Sequence, residues 1–167
     1  MIRQILINNF RCYRKLDVFD CEKINLIVGE NGSGKTALLE AIFFVLATTS
    51  EMAVRFRQMR GMDNTFQGSP LRIEGAAWGN LFYAQDTSNT IGIVVSGEGE
   101  FNRTLEIFKG DPVSNFDLSA NQFHDVSNPI TLSWTDHTSH ERKIVPRVGN
   151  NLFQFPSTGE DFENCFC

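Results

Sequence analysis

Ile24-Asn25-Leu26-Ile27-Val28-Gly29-Glu30-Asn31-Gly32-Ser33-Gly34-Lys35-Thr36-Ala37-Leu38-Leu39-Glu40-Ala41-Ile42 decides how this chain is read. The stretch opens on a run of branched apolar residues, turns through glycines at 29, 32 and 34, and leaves in a helical pattern. Its spacing, Gly29-x4-Gly34-Lys35-Thr36, satisfies the phosphate-binding loop pattern in full. Gly32 and Gly34 have no Cβ, so the backbone can curl and turn consecutive N–H groups inward. The positive end of the following helix adds to that cradle, and a polyphosphate is the ligand it suits. Lys35 is then expected to reach the β- and γ-phosphate oxygens, and the Thr36 hydroxyl to ligate Mg2+. The expected ligand is Mg-ATP. A GTPase would also carry Asn-Lys-x-Asp for the guanine base, and that segment does not occur.

Outward from the loop, three strands are expected before it: Met1 to Asn8, Leu16 to Phe19, and Ile24 to Val28, rich in branched residues and ended by Gly29. After it, Leu38, Leu39, Ile42, Phe43 and Leu46 fall at the spacing of one helix face, and the pattern fades at Thr48-Thr49-Ser50. Ser50 can cap a second helix running to Arg60, with Met52, Phe56 and Met59 as its apolar stripe and Gly61 as its stop. Beyond Gly68-Ser69-Pro70 the character changes. Leu71 to Trp78, Leu81 to Ala84, Thr90 to Val95 and Thr104 to Phe108 are short runs separated by Gly, Asn, Asp and Ser, as in a β-meander. Ile130, Leu132 and Trp134 alternate with Thr131 and Ser133 as a half-buried strand would, with Lys143 to Val148 as its partner. Gly110 to Pro129 reads as a long polar loop.

The fold class expected is mixed α/β, strand-rich: one lobe over 1–167, with a strand-loop-helix core at 1–61 and an antiparallel β-rich part at 70–150. A small P-loop kinase, helical after its loop, is disfavoured by that meander. The 167 residues carry a net charge of -5, which argues against nucleic-acid binding by bulk electrostatics. Arg55, Arg57 and Arg60, with Arg72 nearby, are the candidate phosphate grip if DNA is contacted, and their usual role is that of a solvated helix face. No apolar run is long enough to span a membrane, and the N-terminus lacks the core of a signal peptide, so a cytoplasmic protein is expected. Cys12, Cys21, Cys165 and Cys167 form no CxxC pair and read as free thiols. His137 and His140 beside Asp136 have a usable metal spacing, but no cysteine or carboxylate cluster accompanies them, so no metal site is assigned there.

Asn9-Phe10-Arg11 after the first strand, Gly-Glu-Asn-Gly-Ser-Gly-Lys-Thr in the loop and Leu38-Leu39-Glu40-Ala41-Ile42 on the helix together resemble the ABC-type ATPases of the RecF, SMC and OLD group. The resemblance covers about the first 47 residues. It implies an antiparallel subdomain after the core, ATP and Mg2+ as cofactors, and a dimer or higher oligomer closing around nucleotide, with an effector protein as a further partner. It also implies that Arg11 lies near the phosphates and that Asn31, Gly32, Ser33, Gly34, Lys35 and Thr36 hold the nucleotide. The absence of heptads after Leu46 makes the chain more similar to OLD-type and anti-phage ATPases than to SMC proteins.

Two parts of the family pattern are missing. No run of four apolar residues followed by Asp-Glu lies downstream of Thr36, and Leu118-Ser119-Ala120-Asn121-Gln122 lacks the glycines of the family's signature helix. The glutamine that would sense Mg2+ and the attacking water falls at Gln154, with Gln58 and Gln85 as weaker candidates. The resemblance therefore implies the N-terminal lobe of a longer ATPase, one that binds ATP and hardly hydrolyses it alone. The competing reading is a non-catalytic module that holds a nucleotide or a partner protein.

Overall fold

The computed structural model describes residues 1–47, 52, 55, 56, 59–61, 78–99, 101–110 and 130–145, with backbone alone at 147–149 and 152–154. Its frame is a six-stranded antiparallel sheet. The strands are β1 (Ile2–Phe10), β2 (Tyr13–Val18), β3 (Ile91–Gly97), β4 (Asn102–Lys109), β5 (Ile130–Asp136) and β6 (Glu141–Ile144), in the order β2-β1-β3-β4-β5-β6. The register stacks apolar residues into rows across the strands. Ile7 pairs with Ile93, Ile93 with Leu105 and Leu105 with Trp134; one row over, Ile91 pairs with Ile107, Ile107 with Leu132 and Leu132 with Ile144. Every one of these side chains is buried. A slip of one residue in any strand would turn its members to the other face, so this double row holds the pairing in register.

Helix α1 (Lys35–Ala47) lies on that apolar face. Phe44, fully buried, meets Phe56 edge-on at 5.5 Å and Trp134 at 6.4 Å, and the Trp134 indole donates to the Phe44 carbonyl at 3.2 Å. Arg103 of β4 donates to the Leu46 carbonyl at 2.9 Å, which gives an orphan carbonyl of the helix C-terminus a partner.

Five expectations are corrected. Ile24 to Val28 forms no strand: it pairs with no described strand and is exposed, Ile24 and Leu26 by 89% and 88%. A strand needs a neighbour for its N–H and C=O groups, and no described strand lies beside it. The buried face of α1 is Ala37, Leu38, Ala41, Phe44 and Val45, with Leu39 and Phe43 exposed, because a helix apolar all round carries several equivalent stripes. Leu81 to Ala84 is two 3-10 turns, Gly79–Leu81 and Tyr83–Gln85, joined at Phe82, which makes a single bridge to Phe10. Strand β5 is buried on both faces, since Thr131 and Ser133 are covered as well. Lys143 to Val148 is split: β6 ends at Ile144, and Val148 belongs to β7 (Arg147–Gly149), which pairs with β8 (Leu152–Gln154) in a separate two-stranded ladder.

Of the second helix, Met52, Arg55, Phe56 and Met59 are helical. Phe56 is buried, but Met59 is 77% exposed and is not part of a stripe. The first two strands run longer than expected, Ile2–Phe10 and Tyr13–Val18. Leu71 to Ala77, Gly68 to Pro70 and the loop at 111–129 lie outside the described residues, as do Cys165 and Cys167.

Candidate functional site

Three elements meet at the N-terminus of α1. The first is the loop from Gly29 to Gly34. Gly32 and Gly34 have φ of 82° and 97°, the left-handed region that glycine occupies without steric cost. At Gly34 there is a second reason: a Cβ would sit 2.5 Å from the Tyr13 hydroxyl and 2.8 Å from Cys12 Sγ. The loop closes on itself, with Ser33 N donating to Glu30 O at 3.2 Å and Leu38 N starting the helix on Gly34 O at 3.0 Å. Lys35 folds back over the loop. Its Nζ donates to the Gly29 and Glu30 carbonyls, each at 2.7 Å.

The second element is the β1–β2 hairpin. Phe10 pairs with Tyr13, leaving Arg11 and Cys12 as the turn, and Arg11 has a φ of 55°. The backbone N–H of Arg11 donates to Leu81 O at 2.7 Å and its Nη1 to Asn80 O at 2.9 Å, so the 3-10 turns, the third element, are tied to the hairpin. Arg11 Nε donates to Glu40 Oε2 at 3.1 Å. Burial, with a smaller contribution from Cys12, pushes the Tyr13 hydroxyl above its ordinary pKa, so Tyr13 stays neutral beside the loop.

Between these elements lies a cleft of about 620 Å3. The loop from Asn31 to Ala37 lines one wall, Arg11 and Cys12 a second, and Asn80, Phe82, Ala84 and Gln85 a third; Arg60 closes the group. Ala84 and Gln85 both have positive φ, 52° and 59°, at this rim. Two consecutive left-handed residues that are not glycine are backbone strain held at a cleft, a pattern that clusters at ligand sites.

Every loop residue singled out in the sequence is therefore brought to one place together with Arg11. Gln85 lines the cleft. The backbone of Gln154 sits in β8, paired with Arg147, and its side chain lies outside the described residues, as does Gln58. Arg55 is exposed, Arg60 is bound to a carboxylate rather than presented on a solvated face, and Arg57 and Arg72 are outside the described residues. Asp136 is occupied in its own turn, accepting from Thr138 N, Thr138 Oγ1 and His140 N, so its carboxylate serves the backbone. Among the described residues, Cys12 is exposed and Cys21 buried, both free thiols.

Sequence reading missed Glu40. It is 4% exposed in the middle of an apolar helix, and both its oxygens are taken by arginines. The signal was available: a carboxylate flanked by core positions 37, 38, 41 and 44 has to be paired, since acidic residues are almost never fully buried otherwise.

The site's chemistry fits a polyphosphate. Among the described residues the cleft's cations are Lys35, Arg11 and Arg60, its floor is glycine-rich backbone at a helix N-terminus, and the bulk that a Cβ would add is absent at Gly32. The family described as AAA domain matches residues 4–146. The chain belongs to this family.

Relatives of this ATPase domain include the DNA replication and repair protein RecF of Halalkalibacterium halodurans, 33% identical over 99 residues, which are 59% of this chain and 24% of that protein. An ATP/GTP phosphatase of Helicobacter pylori is 29% identical over 107 residues, 64% of this chain and 27% of that protein. RecF of Actinobacillus pleuropneumoniae is 52% identical over 44 residues, 26% of this chain and 12% of that protein. The chain thus aligns with about a quarter or less of the length of these relatives. A solved structure from work on ATP-driven dimerization and DNA-stimulated activation of SMC ATPases matches at a TM-score of 0.34 and 20% identity, covering 85% of this chain and 67% of that one.

Proposed function

We propose that this ATPase domain holds Mg-ATP in the cleft at the N-terminus of α1 and acts as one lobe of an ATP-driven switch. The observation that supports this best is the convergence of Lys35, the glycine cradle and Arg11 on one cleft. In this reading the N–H groups of Asn31 to Thr36 hold the β-phosphate and Lys35 exchanges the Gly29 and Glu30 carbonyls for phosphate oxygens. The Thr36 hydroxyl, exposed at the first turn of α1, is the protein's ligand for Mg2+. Bound Mg2+ would supply charge neutralisation at the β- and γ-phosphates.

The lobe is incomplete as a hydrolase. Thr36 is followed by no apolar strand ending in Asp-Glu, so ATP is held and hardly turned over. Leu39 and Phe43 of α1, and Ile24, Leu26, Ile27 and Val28 before the loop, are exposed apolar residues, in keeping with a further layer of a larger ATPase head covering them. Gln85, which lines the cleft, is a candidate for contact with Mg2+ or the attacking water, beside Gln154. The RecF relatives favour DNA repair as the setting, with a nucleotide-closed dimer as the working form and the cytoplasm as its place; anti-phage defence with an effector protein, in the OLD style, is the alternative setting. Direct DNA contact is disfavoured by the charge of -5.

The test is titration of the chain with Mg2+ and a slowly hydrolysed ATP analogue beside Lys35→Ala. At an analogue concentration 100 times Kd, binding stabilises the fold by about 2.7 kcal/mol, an upward Tm shift of roughly 5–10 °C for a domain of this size. Equal shifts for the parent and Lys35→Ala would refute the proposal.

A further inference from the structure

Glu40 sits one helical turn below Thr36 and gathers two arginines that are distant in sequence. Its Oε2 accepts from Arg11 Nε at 3.1 Å and from Arg60 Nη2 at 3.0 Å, and its Oε1 accepts from Arg60 Nε at 2.8 Å. One arginine comes from the hairpin turn before the phosphate loop and the other from the segment after α1. The carboxylate side chain is 5% exposed, that of Arg11 10% and that of Arg60 35%. Burial therefore increases from Arg60 to Glu40, with the open edge of Arg60 on the cleft that the phosphate loop lines. The Arg60 guanidinium is held bidentately through Nε and Nη2, which leaves Nη1 with no hydrogen bond to a described residue. Two guanidiniums that line the cleft with Lys35 thus share one carboxylate.

We infer that Arg60 is a binding residue for the nucleotide's phosphates and that Glu40 is the positioning residue that aims Arg60 and Arg11 at them. This deepens the proposed phosphate site and rests on it. The physical case is preorganisation. A long arginine left free would pay rotamer entropy on each binding event, whereas a bidentate pair fixes the guanidinium plane before the ligand arrives. A purely structural ion pair would gain from being covered on all sides. Here the outer arginine is left a third open, on the wall of the cleft that holds Lys35 and Arg11.

The experiment measures affinity for two probes, Mg2+ with ATPγS and inorganic triphosphate, in the chain and in Arg60→Ala, Arg60→Lys, Glu40→Gln, Glu40→Gln/Arg60→Ala and Lys35→Ala. Arg60→Ala is expected to weaken both probes about tenfold or more, the worth of one charge-assisted hydrogen bond to an anion. Arg60→Lys is expected to stay weak, because a lysine cannot be held in the fork geometry. Glu40→Gln is expected to cost at least as much, and adding Arg60→Ala to it almost nothing further, the non-additivity of residues acting as one unit. Parent-like affinity for both probes in Arg60→Ala, with Lys35→Ala inactive, would overturn this inference and leave the phosphate site standing. Parent-like binding in Lys35→Ala as well would overturn the phosphate site itself. Loss of ATPγS binding with triphosphate binding unchanged would place Arg60 on the nucleoside and overturn the phosphate assignment. If Glu40→Gln does not fold, the two Arg60 variants, which keep Glu40 paired to Arg11, decide the matter alone.

Discussion

Gly34→Ala separates two effects that the phosphate loop combines. At Gly32, φ is 82° and a Cβ would meet nothing within 4 Å, so Gly32→Ala carries only the backbone cost of a left-handed alanine, about 1–2 kcal/mol. At Gly34, φ is 97° and the Cβ would also meet the Tyr13 hydroxyl at 2.5 Å, Cys12 Sγ at 2.8 Å and Tyr13 Cζ at 2.8 Å. Those atoms belong to the hairpin, which is anchored by Arg11 to Glu40 and Leu81 and does not move freely. Forced overpacking of this kind costs about 1–3 kcal/mol more. Gly34→Ala should therefore lie about 1–3 kcal/mol below Gly32→Ala in unfolding free energy, a further Tm loss of roughly 2–12 °C. The assay is urea unfolding of both variants, repeated with Tyr13→Ala and Cys12→Ala in the background. In that trimmed background the gap between the two variants should shrink. Equal stability of Gly34→Ala and Gly32→Ala with the hairpin intact would refute the close packing of the β1–β2 turn on the loop.

Two further outcomes are expected. Phe44→Ala removes a fully buried ring from its contacts with Phe56 and Trp134 and should cost about 3–5 kcal/mol, read as a lower urea midpoint; a loss below about 1 kcal/mol would mean that α1 does not rest on the sheet as described. Asp86 accepts from the Ser88 hydroxyl and N–H and from Asn89, and these bonds, the Ser88 hydroxyl first, hold its carboxyl below the usual 3.8. A carboxyl depressed by folding stabilises the fold above its unfolded pKa, and that contribution is lost as pH falls below about 3.8 through the folded value. Asp86→Asn should accordingly flatten the decline in stability between about pH 4 and pH 2, measured by denaturant midpoints; an unchanged slope would refute the role of this turn.

The phosphate loop, α1 and most of the meander were legible in the amino-acid order because each rests on local chemistry. Glycine tolerance of positive φ decides the loop, helical periodicity decides α1, and alternation bounded by turn residues decides β3, β4 and β5. Arg11 was singled out through the family pattern around it, and it lines the cleft beside the loop. What the order of residues does not contain is who pairs with whom. Ile24 to Val28 has every local mark of a strand, yet a strand exists only where a neighbour accepts its hydrogen bonds, and none of the described strands does. The helix is apolar on all sides, so only the sheet could decide that Phe44 points inward and Phe43 outward. Glu40 looked like one helix residue among many until the hairpin and the segment ending at Arg60 brought two guanidiniums to it across 29 and 20 positions of sequence. Loop conformation is a property of a few adjacent torsions and so is written locally. A buried charge network depends on contacts between distant segments, and only the tertiary structure brings those together.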